Sequence, residues 1–150
     1  MSSIVNKECI VFDIDTDSKD EVIYTLVKKL KEQNKIKDIE DFYKNVLARE
    51  AIEPTAIGHD IGLPHGRTNG VIEPAICFGR LKKPLVWSEK TGELGEVILM
   101  IAVPENDQDN THMKIISKLA RKLMHDDFRD KLLTGDKTTI YKLLKEGLEE

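Results

Sequence analysis

Four histidines, an arginine and a set of glycines carry the chemistry open to this sequence. His59 and His65 fall in the run IGHDIGLPHG, residues 57 to 66, with Pro64 directly before His65 and glycines at 58, 62 and 66. His112 follows Thr111 at the head of a helical pattern, and Arg49 stands near the end of another. An imidazole with one neutral nitrogen is a nucleophile near pH 7. A guanidinium offers a planar fork of donors for phosphate oxygens. The first turn of a helix combines free backbone N–H groups with the positive end of the dipole, which suits an anion. Glycines let backbone amides approach a bound group closely. Together these parts suit phosphoryl transfer, in which catalysis is mainly positioning and electrostatic stabilisation.

Periodicity sorts these residues by direction. His112 stands four before Ile116, in a stripe with Leu119, Ala120 and Leu123, so it points with that stripe towards the core. His125, nine after Ile116, projects from the opposite side into solvent. Ile57, His59, Ile61, Leu63 and His65 share one parity, so a regular strand would put His59 on the side of three apolar residues. Pro64 and Gly66 are expected to end that strand and leave His65 at a turn, a common place for catalytic residues held by a rigid sheet. Arg49 lies three after Val46 and seven after Phe42, at the edge of an apolar stripe in a last helical turn. Each residue alone also has a structural reading, such as a satisfied histidine or a snorkelling arginine at a helix end. The three taken together, His65, His112 and Arg49, are the candidate catalytic set.

The elements that must position them follow from hydrophobic pattern. Residues 8 to 14, ECIVFDI, read as a first strand. Ser18 and Glu21 have the spacing of a capping box before Val22, Ile23, Leu26, Val27 and Leu30, and Asn34 marks that helix's end. A second helix starts at Asp38, carries Ile39, Phe42, Tyr43, Val46 and Leu47, and stops before Pro54. Ile57 to Leu63, Ala75 to Leu81 and Val97 to Val103 are the central strands, the last continuously apolar as for a strand buried on both faces. KKPLVWSEKTGELG reads as a loop with a turn at Thr91-Gly92, anchored by Trp87. Met113 to Met124 and Phe128 to Leu133 are helical, the latter capped by Gly135. Thr138 or Thr139 caps a final helix with Ile140, Leu143, Leu144 and Leu148, and the tail KEGLEE reads as a fraying end. The expected fold is α/β: a single domain over residues 1–150, a mixed β-sheet flanked by α-helices on both faces.

The bulk properties exclude several classes. The 150 residues carry 23 Lys+Arg against 27 Asp+Glu, a net charge of −4, so nothing favours a nucleic acid partner. Cys9 and Cys77 show no CxxC spacing and read as buried free thiols of a reducing cytoplasm. The N-terminus lacks the order of a signal peptide. The longest uncharged apolar run, VILMIAV, is far short of the roughly 20 residues of a membrane span. A cytoplasmic protein without membrane insertion is expected.

The stretch EAIEPTAIGHDIGLPHG resembles the active-site signature of the mannitol/fructose-type enzyme IIA domains of the bacterial sugar phosphotransferase system (PTS EIIA type 2). Glu50, Ile57, Gly58, Leu63, Pro64, His65 and Gly66 match it, while Gly62 stands where the family usually has alanine. RLKKPLVW, VILMIAVPEN and THMKIISKLARKLM resemble later blocks, so the likeness runs from about Asp17 to Leu133. It implies that His65 accepts a phosphoryl group on Nε2 from the phosphocarrier protein HPr and passes it to a IIB domain. It implies that Arg49 and His112 stabilise that group without carrying it, and that no metal or organic cofactor takes part. The tryptophan after R-L-K-K-P and the spacing from AVPEN to H-M-K-I look closer to fructose-type than to mannitol-type domains.

Three other readings compete. Domains of this kind also serve in nitrogen-type or regulator-linked proteins, where the phosphohistidine controls binding to a target. A zinc site would need three or four ligands, and beyond the histidines the sequence offers Asp60 and the poorly placed Cys9 and Cys77. A nucleotide enzyme would show GxxxxGK[ST] or GxGxxG after a strand, and neither is present.

Overall fold

A computed structural model describes residues 4–107 and 110–149. Its elements run β1 (Val5–Ile14), α1 (Lys19–Glu32), α2 (Ile39–Ile52), β2 (Ile61–Gly62), β3 (His65–Thr68), β4 (Ala75–Val86), β5 (Leu94–Pro104), α3 (Thr111–Lys122), α4 (Asp126–Thr134) and α5 (Lys137–Leu148). The sheet order is β1-β4-β5-β2, with β3 also paired to β5. The β4–β5 pair is antiparallel and the other pairs are parallel, so the sheet is mixed. One core layer joins α1 and α2 to one face of the sheet; a second joins α3, α4 and α5 to the other. Helices on both faces are therefore found as expected.

The α1 stripe of Val22, Ile23, Leu26, Val27 and Leu30 is fully buried. Each such aliphatic side chain contributes about 1.5–3 kcal/mol by leaving water. Ser18 accepts from the Glu21 amide as the capping spacing predicts. The reciprocal half of the box is absent: the Ser18 amide donates to the Thr16 hydroxyl, which itself donates to the Glu21 carboxylate.

Several boundaries differ from the sequence reading, each for a local reason. β1 begins at Val5, because Ile4 carries the pairing onward by accepting from the Ile76 amide. KKPLV is the second half of β4 and not a loop; Lys82, Lys83 and Pro84 are exposed, where a register shift lets the strand tolerate a proline. Trp87 does anchor the following loop, its amide donating to the Glu93 carbonyl at 2.8 Å. Asp136, not Thr138 or Thr139, caps α5 by accepting from the Thr139 amide at 2.8 Å. Gly135 does end α4, in extended conformation, where a Cβ would meet the Lys131 carbonyl at 2.6 Å. The tail through Glu149 does not fray: Leu148 is buried, and Glu149 accepts from the Ile4 amide at 2.7 Å; Glu150 lies outside the described residues. On α3 the buried stripe is Ile115, Leu119 and Leu123, with Ile116 half-buried and Ala120 exposed. Cys9 and Cys77 are free and buried.

Two corrections bear on the site. Residues 57 to 63 do not form a regular strand. Gly58, His59 and Asp60 all have positive φ, at 86°, 55° and 63°, and turn the chain before β2. The parity argument for His59 therefore fails; the side chain is exposed and lines a separate groove with Ile57 and Ile116. β2 does end before Pro64, at Gly62, but His65 is not left at a turn, because pairing with β5 resumes there. Ile61 pairs with Val97 and His65 with Ile101 at one unbroken offset along β5. Pro64 has no N–H to lose, and its carbonyl still accepts from the Ile101 amide at 3.0 Å. His65 is thus the first residue of β3.

Candidate active site

β3 alternates its side chains between the two cores. Gly66 faces α2, where a Cβ would stand 2.6 Å from the Phe42 ring and 3.0 Å from Val46. The missing side chain is what lets α2 lie against β3. His65 and Arg67 take the opposite parity, shared with Ile61 and Leu63, which pack in the core layer of α3. Asn45 on α2 accepts from the Arg67 amide at 2.9 Å and ties helix to strand. A groove of about 350 Å³ results, lined by Asn45, Ala48, Arg49 and Ile52 from α2, His65 and Arg67 from β3, and His112 from α3. All three predicted site residues meet there. His125 is exposed and is not among the groove's lining residues.

The His65 and His112 ring centroids are 4.8 Å apart at 50°. His65 Nδ1 lies 3.1 Å from the Leu63 carbonyl. A carbonyl can only accept, so Nδ1 carries the proton and Nε2 is left with a free electron pair. The Leu63 carbonyl is itself held in place, because the Leu63 amide donates to Thr55 at 2.9 Å. Thr55 is gripped by Glu50, whose carboxylate accepts from the Thr55 amide at 3.2 Å and from its hydroxyl. Glu50 is only 7 % exposed and pairs with Lys19 at 2.8 Å. Its place on the α2 stripe, four after Val46, was the available sequence signal for this buried carboxylate.

Burial lowers the His65 pKa below its ordinary 6.5, and Arg49 adds to this, against the opposing bond to Leu63. Burial, then the neighbouring His65 and Arg67, do the same for His112. With folded pKa values below the unfolded 6.5, these groups' contribution to stability is fully present above pH 6.5. It is lost as the pH falls from there through the folded values. The same shift makes the neutral form of His65 the larger share at pH 6.5. A ring-resonance titration by NMR is expected to place its midpoint below 6.5; a midpoint above 6.5 would contradict the neutral imidazole.

The α3 N-terminus differs from the expected open anion site. Asp107 accepts from the Thr111 and His112 amides, both at 2.9 Å. Against the burial that raises it, these bonds hold the Asp107 carboxyl below the usual carboxylate range. The free donors in the groove are therefore side chains. His112 Nε2 is buried with no hydrogen-bond partner among the described residues.

Gly62 has a specific explanation. A Cβ there would stand 2.7 Å from the Trp87 indole, and Trp87 is 1 % exposed. Glycine at 62 and tryptophan at 87 thus fill one space together. Gly62→Ala is expected to cost about 1–3 kcal/mol through overpacking, read as a lower urea midpoint. In Trp87→Leu the same alanine is expected to cost less, giving a non-zero coupling in the double-mutant cycle.

Residues 3–147 match the family model described as phosphoenolpyruvate-dependent sugar phosphotransferase system, EIIA 2. The chain belongs to this EIIA family. Among its relatives is the fructose-specific EIIABC component of Bacillus subtilis, 32 % identical over 136 residues, 91 % of this chain and 21 % of the relative. The 2-O-alpha-mannosyl-D-glycerate-specific EIIABC component of Escherichia coli is 29 % identical over 133 residues, 88 % of this chain and 20 % of that one. The EIIA chain thus spans about a fifth of those two proteins. By contrast, the fructose-specific EIIA component of Haloferax volcanii aligns over 99 % of this chain and 97 % of its own length, at 29 % identity. Among solved structures, nitrogen regulatory protein IIA-Ntr from Neisseria meningitidis superposes with a TM-score of 0.85 at 27 % identity, covering 94 % of this chain and 96 % of that one. Mannitol enzyme IIA of Escherichia coli, in complex with phosphorylated IIB, shares the fold: the TM-score is 0.81 at 20 % identity, with 95 % and 97 % covered. Among the described residues no group of three His, Cys, Asp or Glu could hold a metal, and no helix is long and apolar enough to cross a membrane.

Proposed function

We propose that this EIIA domain accepts a phosphoryl group from phospho-HPr on His65 Nε2 and passes it to a IIB domain for sugar uptake and phosphorylation in the cytoplasm. The observation that carries this reading is the His65–Leu63 bond, which points a free Nε2 lone pair away from the strand beside His112 and Arg49. In the transfer the Nε2 lone pair forms the new N–P bond. The donor's N–P bond breaks, and its electron pair leaves on the donor nitrogen. Arg49 and His112 meet the charge on the phosphoryl oxygens. Ile52 and Met113, 77 % and 48 % exposed, supply apolar surface on the elements that carry Arg49 and His112, as a protein partner would need. Relatives named for fructose favour that sugar class.

The test mixes the protein with phosphoenolpyruvate, enzyme I and HPr, then adds a fructose-type IIB. An acid-labile adduct that drains to IIB and on to fructose supports the reading. An adduct that no IIB drains would instead favour the regulatory use of the same site. His112→Ala is expected to slow acceptance about tenfold or more without abolishing it.

A further inference from the structure

Arg67 is the groove's remaining cation, and neither the sequence signature nor the candidate set includes it. It stands two after His65 on β3, so it shares His65's face. It lines the same groove as Arg49, His65 and His112. Its Nε donates to the Glu105 carbonyl at 3.0 Å, which fixes the plane of the guanidinium. The structure gives its two Nη groups no hydrogen-bond partner among the described residues. Among the groups that face it, Asp107 accepts from the Thr111 and His112 amides, and Arg67 adds to these bonds in holding its carboxyl below the usual range. Arg49 lowers the pKa of both histidines, and Arg67 lowers that of His112.

We propose that Arg67 is a further catalytic residue, whose free Nη groups contact the phosphoryl group on His65 within the groove that both residues line. The inference rests on the phosphohistidine reading above. A phosphoryl group between the two rings has three equatorial oxygens to satisfy. Arg49, His112 and Arg67 are three polar side chains lining one small groove. In the free protein Arg67 is open to water, which weakens it as a charge. A docked partner that covers the groove strengthens it at the moment of transfer.

The experiment compares wild type, Arg67→Gln and Arg67→Lys with two donors: saturating phospho-HPr in single turnover, and phosphoramidate, a small donor that needs no docking surface. Arg67 is exposed, and its side chain makes one hydrogen bond to the protein, so the variants are expected to keep the wild-type melting temperature. With Arg67→Gln the maximal rate is expected to fall about tenfold or more with both donors. The half-saturating phospho-HPr concentration should change by less than about twofold. Arg67→Lys should recover only part of the loss, since a point charge lacks the fork. A raised half-saturating concentration with unchanged maximal rate and unchanged phosphoramidate labelling would make Arg67 a docking residue and overturn the proposal. So would equal rates throughout. Wild type that takes no label on His65 from either donor would overturn the phosphohistidine reading itself, a result distinct from a silent Arg67.

Discussion

His65→Ala is expected to take no phosphoryl group from phospho-HPr, with acid-labile adduct below detection, while the fold persists. The half-buried ring makes one hydrogen bond, to Leu63, so its removal costs about 1 kcal/mol of stability. Strand β3 is held without it: its pairing with β5 runs from His65 to Thr68 through backbone bonds, and Gly66 packs on Phe42 and Val46. No side chain substitutes for the nucleophile. The His112 ring lies beside it, but its backbone is held by Asp107 at the helix start, so its nitrogens do not occupy the place that His65 Nε2 vacates. Measurement of label by acid-lability on both proteins decides the matter, with circular dichroism as the control for folding. Undiminished label on His65→Ala would place the phosphoryl group elsewhere and dissolve the site described here.

Arg49→Lys is expected to lower the acceptance rate about 10- to 100-fold, although the charge is conserved. Arg49 Nη1 donates to the Glu53 carbonyl at 2.8 Å, one turn further on at the end of α2. That bond aims the rest of the fork into the groove and leaves the other nitrogens for phosphoryl oxygens. A lysine at 49 gathers its donors on one nitrogen and cannot span the helix carbonyl and the anion as the planar fork does. The loss should appear in the maximal rate more than in the half-saturating donor concentration, because the contact strengthens as charge develops on the transferring group. Unchanged kinetics would reduce Arg49 to a helix-terminal cap.

Much of this was present in the sequence because it is local. A 3.6-residue apolar stripe determines which face of α1 is buried, and all five of its predicted residues are. The continuously apolar run 97–103 determines a strand covered on both faces, and β5 contributes side chains to both cores. The types and spacing of His65, His112 and Arg49 suffice to nominate them, since nucleophile, fork and buried imidazole are properties of the side chains. Tertiary structure alone decided the rest. Three left-handed residues at 58–60 removed His59 from the face of His65, because parity holds only while the backbone stays extended. Pairing with β5 resumed at His65 in the register of β2, because an edge position needs no amide from Pro64. Glycine at 62 is explained by an indole 25 positions away. Asp107 closed the helix terminus that sequence left open, and the pairing of β3 turned Arg67 onto the same groove. Side-chain chemistry and periodicity are written along the chain; which distant backbone fills a space, caps a helix or continues a strand depends on packing between segments that the sequence holds far apart.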